Sequence, residues 1–230
     1  MHASWRLMYR HGLPALALVT LVACTATPSV PPARLEAAPA AAAANAQPDA
    51  TAGLRVWVFR AGAAAHLGHN HVMRAGDLRV QWPAAGPVLR FRLDALAVDP
   101  PELRAAAGPA FASVVDDDAR AGTRANLLRA LEAQAHPEVV VRTLQQRGEG
   151  PRRAVEVEIE LHGVTRRQWL AVEVQGRRAH GVAVVRQSDF GVQPFSVLGG
   201  LLAVQDALVV EFDLLEPEPH QLLGELPPVR

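Results

Sequence analysis

Three histidines stand close together early in the body of the chain, His66, His69 and His71. His69 and His71 are two apart, so on an extended segment both imidazoles project to one face. Imidazole nitrogens suit zinc, copper, nickel or a haem iron, which makes this loop the first place to look for chemistry. The donor set is short, however. A structural zinc site takes four ligands and a catalytic one three plus water. The body has no cysteine donor and no His-Glu-x-x-His helix. The sequence therefore predicts that these histidines, with Asn70, hydrogen-bond loop backbone. No metal is assigned, and a periplasmic metal- or haem-binding role for His69 and His71 stays as the alternative.

Other candidates are weaker. Asp116-Asp117-Asp118 lacks the alternating ligands and distal Glu of a calcium loop and reads as a solvated acidic segment. Arg186 and Asp189 could hold a ligand headgroup, a phosphate especially, or form a structural pair at a strand end. Ser188 and Ser196 have no Gly-x-Ser-x-Gly context. There is no catalytic triad, phosphate loop or dinucleotide fingerprint. No enzyme activity and no cofactor are expected. With 23 basic and 23 acidic residues the formal charge is zero, which argues against a general nucleic-acid binder.

The single cysteine, Cys24, belongs to an address. Arg6 and Arg10 precede an apolar run from Gly12 to Ala23, too short to span a bilayer permanently and typical of a secretory signal. Its end, Leu21-Val22-Ala23-Cys24, resembles the bacterial lipobox, in which the thiol takes a diacylglycerol and the freed amine a further acyl chain. Two chains anchor stably where one is marginal. The expectation is a signal peptide over 1–23 and export to the cell envelope. Thr25 rather than Asp after the cysteine favours the periplasmic face of the outer membrane. Residues 24–52 are rich in Ala and Pro with almost no large apolar side chain, so they form a flexible tether.

The elements that must position any site are strands. Val155-Glu156-Val157-Glu158-Ile159-Glu160-Leu161 alternates apolar and acidic residues, as does Leu208-Val209-Val210-Glu211-Phe212-Asp213-Leu214, while Leu89-Arg90-Phe91-Arg92-Leu93-Asp94 uses Arg on the wet side. Period 2 marks strands with one dry and one wet face. Weaker runs cover Arg55 to Arg60, Glu138 to Leu144, Gln168 to Val174 and Gly181 to Arg186. His162-Gly163-Val164-Thr165 and Gln175-Gly176-Arg177-Arg178 read as hairpin turns, so consecutive strands form an antiparallel meander. One segment, Thr123 to Ala133, has helical spacing, with Leu127, Leu128 and Leu131 on one face and Thr123 as N-cap. The region from Pro100 to Ala121 reads as irregular. Phe91 and Trp57 are candidates for a cavity wall, but periodicity alone leaves open whether a sandwich or barrel forms and whether it is filled.

Five motifs in order carry a resemblance: Leu67-Gly68-His69-Asn70-His71, Ala135-His136-Pro137-Glu138-Val139, Leu161-His162-Gly163-Val164-Thr165-Arg166, Arg186-Gln187-Ser188-Asp189-Phe190-Gly191-Val192, and Val204-Gln205-Asp206. Together they resemble the YceI-like family over nearly all of the body. The resemblance implies an all-β fold over 53–216, an eight-stranded antiparallel lipocalin-like barrel with one short helix beside it, followed by a tail over 217–230. It also implies an elongated apolar cavity and non-catalytic binding of an amphipathic lipid, such as a polyisoprenoid or fatty acyl compound. The cavity wall would then be Leu89, Phe91 and Leu93; Val155, Val157 and Ile159; and Leu208, Val210 and Phe212. Arg186 and Asp189 stay as possible contacts of the head beside their reading as a structural pair. The lipobox and the Ala/Pro tether depart from family members with a plain signal peptide.

Overall fold

The computed structural model describes residues 53–217. The expected signal peptide, the Cys24 tether and the tail from residue 218 on lie outside the described residues. The described chain is mostly strand: β1 Gly53–Val58, β2 Arg60–Ala61, β3 His71–Ala75, β4 Arg79–Gln81, β5 Val88–Arg92, β6 Leu96–Val98, β7 Glu138–Arg147, β8 Arg152–Leu161, β9 Val164–Gln175, β10 Arg178–Arg186, β11 Ser196–Val197, β12 Leu202–Val204 and β13 Ala207–Leu215. Ten of these form one large curled antiparallel sheet in the order β4-β5-β7-β8-β9-β10-β13-β1-β3-β6, and β11-β12-β2 form a small second sheet.

That sheet has ten strands where the family resemblance implies eight, and the difference has a local cause. The chain of β3 continues into β4, and that of β5 into β6. Both paths are interrupted at the same level. There the 3-10 turn Leu93–Ala95 breaks one path. Gly76 N–H donates to Ala95 O at 3.1 Å, and Asp77 Oδ1 accepts from the Arg92 N–H at 2.9 Å. A carboxylate and a turn replace regular ladder bonds, so each path is split in two. On either side the ladder resumes, with Met73 opposite Val98 and Val80 opposite Leu89.

Two helices lie in the long excursion between β6 and β7, not the one predicted. Pro101 occupies the first turn of α1, Pro101–Ala106, where its missing N–H costs nothing. α2 runs Asp117–Ala130, and its cap is Asp116, whose Oδ1 accepts from the Ala119 N–H at 2.8 Å. The helix therefore begins six residues before Thr123, and the acidic triplet is its N-terminus. Asp117 and Asp118 in the first turn complement the helix dipole. As anticipated from their spacing, Leu127, Leu128 and Leu131 pack together on the main core.

The core has two parts. The larger lies inside the curl, with Leu89, Phe91, Val157, Ile159 and Leu214 among its buried members. The second lies on the outer face of β1, β3 and β13, where Trp57, Val72 and Val209 pack beneath Leu103 of α1 and Phe111. Trp57 meets the Phe111 ring edge-on at 5.2 Å.

Candidate functional site

Alternation along the strands turns one side chain in two toward the inside of the curl. In β8 these are Val155, Val157 and Ile159, with the glutamates outward; in β13 they are Leu208, Val210, Phe212 and Leu214. A cavity of about 590 Å³ remains between these walls, within the range of about 300–1,000 Å³ of small-molecule sites. Every residue of the three sets Leu89, Phe91, Leu93; Val155, Val157, Ile159; and Leu208, Val210, Phe212 lines it. α2 adds Thr123, Asn126, Leu127 and Ala130, and Leu131 follows at its C-terminal cap. Trp57 does not line it. In β1 the inward residues are Leu54, Val56 and Val58, and Trp57, between them, faces the outer cluster.

Two irregularities shape the wall. The β7–β8 register shifts between Thr143 and Gln145. This bulge reverses the parity of β7, so Val139, Val141 and Thr143 face in before it and Gln146 after it, while Leu144 is left exposed. Gly181 is the inward residue of β10 opposite Phe212. A Cβ there would stand 2.6 Å from Phe212 Cζ and 2.7 Å from Ala171 O. The ring thus occupies the space that a side chain at 181 would need.

Polar residues reach the cavity at its two ends. At the end formed by the β7–β8 and β9–β10 turns stand Gln146, Arg153, Arg177, Arg178 and Glu216. Arg178 Nε donates to Asp213 Oδ1 at 2.6 Å, and its Nη2 to Asp213 Oδ2. Arg177 Nη1 donates to Glu216 O at 2.7 Å, and Arg153 Nε to Gly150 O at 3.2 Å. In the sequence Gln175–Arg178 reads only as a turn, and its adjacent arginines, Arg177 and Arg178, are the signal for this polar end. The opposite end, where β3 begins and β10 ends, presents His71 and Gln187.

His71 belongs to a buried polar network. Its Nδ1 lies 2.6 Å from Asp99 Oδ2. Asp99 has no solvent exposure, and its Oδ1 accepts from the Val72 N–H at 3.0 Å and from Arg104 Nη1 at 2.8 Å. Arg104 also donates to the carbonyls of Asn70, Phe111 and Ser113 at 2.7–2.8 Å. Burial is the largest influence on the Asp99 carboxyl and would raise its pKa. The combined hydrogen bonds from His71, the Val72 N–H and Arg104 outweigh it and hold the group below the ordinary value. His69 Nδ1 lies 3.0 Å from Ser113 Oγ. Its pKa is lowered by burial first, then by the proximity of His71 and Arg104. Asn70 ties the loop together, donating to Ala110 O at 2.9 Å and accepting from the Arg60 N–H at 3.0 Å. Asp99 and Arg104 were not singled out from the sequence. Asp99 precedes Pro100-Pro101 and reads locally as a turn residue.

The two imidazoles are neighbours, with ring centroids 6.2 Å apart, but each has Nδ1 engaged with a protein oxygen. No group of three or more His, Cys, Asp or Glu suited to a metal ion occurs among the described residues. His66 is exposed in the turn Ala65–Leu67. Arg186 and Asp189 are not at the cavity: both are exposed, and Arg186 Nη1 lies 4.0 Å from Asp206 Oδ2. The parity of β10 explains it, since Val185 and Gln187 point in and Arg186 out. Ser188 Oγ donates to Asp206 Oδ2 at 2.6 Å, and Ser196 is exposed in β11.

No family model matches the chain, and no curated protein matches it. Solved structures do. BcnA of Burkholderia cenocepacia is similar with a TM-score of 0.47 at 10% identity, over 72% of this chain and 96% of that one. A Campylobacter jejuni YCEI protein that crystallizes with large solvent channels is similar with a TM-score of 0.40 at 12% identity, over 64% and 85%. The Campylobacter protein carries the name of the family that the sequence motifs resemble.

Proposed function

We propose that the protein binds one amphipathic lipid, such as a polyisoprenoid or fatty acyl compound, inside its curled sheet and performs no covalent chemistry on it. The observation that carries this reading is the cavity of about 590 Å³ whose walls, from the hairpin end to the His71 end, are mostly inward aliphatic and aromatic side chains. Apolar chain transferred into such a space is stabilised by about 0.8 kcal/mol per CH₂. The ten-stranded sheet curls around this space, which supports room for one ligand. Cys24 would tether the barrel by its acyl chains to the periplasmic face of the outer membrane, with the Ala/Pro segment as spacer. Transport or storage of the lipid in the envelope is the role that fits.

The test is organic extraction of the full chain, purified from its native envelope, with lipid mass spectrometry and metal analysis on the same sample. A stoichiometric lipid is expected. The variant Val157→Glu, which sets an unpaired charge in the apolar wall, should lose that lipid or fail to fold. A folded Val157→Glu protein carrying the same lipid would refute the cavity as the binding site. A stoichiometric metal without lipid would favour a metal-handling role instead.

A further inference from the structure

Among the polar groups on the cavity wall, His71 is held on one side and unused on the other. It lies on the inward face of β3, two residues before Met73, which lines the same cavity. Its Nδ1 meets Asp99 Oδ2 at 2.6 Å, and that carboxylate is itself fixed by the Val72 N–H and by Arg104. Two groups therefore set the position of the carboxylate, and the carboxylate sets the ring. An ionised carboxylate only accepts hydrogen bonds, so Nδ1 carries the proton; in the neutral ring Nε2 is then an acceptor. Among the described residues Nε2 has no hydrogen-bond partner. The ring lines the cavity and is held through Nδ1, so Nε2 is an oriented acceptor for a donor that enters there.

We propose that His71 Nε2 anchors the hydrogen-donating head of the cavity's ligand, a hydroxyl above all, so that the ligand is a long-chain alcohol lying with its head at the His71 end. This rests on the lipid-binding reading and adds to it the head chemistry and the orientation. The nearby wall agrees with a neutral head. Val58, Phe195 and Val204 are apolar, and the amide nitrogen of Gln187 is taken by Gln205 O at 2.9 Å. The guanidinium groups of Arg153, Arg177 and Arg178 all stand at the other end, where an anionic head would go. An alcohol and a carboxylate of equal chain length would thus lie in opposite directions.

The experiment uses the full chain after organic extraction, at pH 8, loaded with the apolar fluorophore N-phenyl-1-naphthylamine. Hexadecanol, palmitate and hexadecane compete for the dye in wild type and in His71→Asn. The Asn amide nitrogen takes the place of Nδ1 toward Asp99 but offers nothing where Nε2 was. Hexadecanol should bind His71→Asn about five- to tenfold more weakly, the worth of one neutral hydrogen bond, while palmitate, hexadecane and dye are unchanged. A second measurement needs no substitution: the His71 Nε2 resonance in ¹⁵N-labelled wild type should shift on adding hexadecanol and not on adding hexadecane. Hexadecanol binding that is unaffected by the substitution, or weakened no more than palmitate and dye, would overturn the His71 anchor, as would an unmoved Nε2 resonance. Those results would leave lipid binding standing. A wild-type protein that takes neither dye nor hexadecanol would instead refute the lipid-binding reading itself.

Discussion

Asp99 combines three costly features. It is fully buried, it carries a charge, and its backbone φ is +50°, a region that Asp tolerates better than most residues. A buried charge persists only when it is paired and hydrogen-bonded, and here His71, Arg104 and a backbone N–H do that. Asp99→Asn removes the charge but leaves Arg104 buried, so it should destabilise the fold by about 3–5 kcal/mol, read as a lowered urea midpoint. The same groups predict a pH profile. His69 is held below its ordinary value of 6.5, so the unfolded chain takes up its proton first and stability declines as pH falls below that value. Asp99 is held below 3.8, so its contribution is complete above that pH and lost as pH falls through the lower, folded value. Thermal melts should be flat above neutral pH, slope downward below 6.5 and fall more steeply below 3.8. In Asp99→Asn the last, steepest part should be reduced, and an unchanged acid limb would refute the assignment.

Strand β10 shows how one element limits its neighbour. Inward positions Ala179, Ala183 and Val185 line the cavity, and the gap at Gly181 admits the Phe212 ring. The obstacle to any side chain at 181 is double, a movable ring and the fixed carbonyl of Ala171. Gly181→Ala should therefore cost about 1–3 kcal/mol, as overpacking does. Combining it with Phe212→Leu should restore only part of the melting temperature, because the carbonyl cannot retreat. Full recovery would mean that the ring is the sole constraint. In β7 the bulge has the opposite character. It turns Gln146 toward the cavity end and Leu144 toward solvent, re-aiming side chains as bulges do.

For the whole molecule, the proposed anchoring and the proposed binding are separable. The curled sheet contributes the cavity, and the lipobox-like end at Cys24 would contribute the membrane attachment. In a detergent phase separation the wild-type chain should enter the detergent phase, and Cys24→Ser should stay in the aqueous phase while keeping its cavity ligand. If both remain aqueous, the lipid anchor is wrong. If both enter the detergent phase, something other than acylated Cys24 holds the protein to the membrane.

The alternation of residues by itself determined which side chains share a face. Val155, Val157 and Ile159 line the cavity because the pleat turns successive side chains to opposite sides, whatever the neighbours are. It could not determine what lies opposite a face. Trp57 and Val209 sit on the outer side of the sheet yet are buried, because α1 and Phe111, distant in sequence, cover them. The bend that splits β3 from β4 and β5 from β6 depends on Gly76, Asp77 and Arg92 meeting across the sheet. Arg186 was one residue out of register with the cavity, and parity at a strand end depends on where the ladder stops. Local signals also begin α2 too late, since Asp116 is a better cap than Thr123 but the choice needs the packed helix. Above all, the contact of His71 with Asp99, like that of Arg104 with Asn70, joins residues that nothing local relates. Only the tertiary fold brings them together, because hydrogen bonds between distant residues form where the curled sheet has already met the entropy cost of bringing them near.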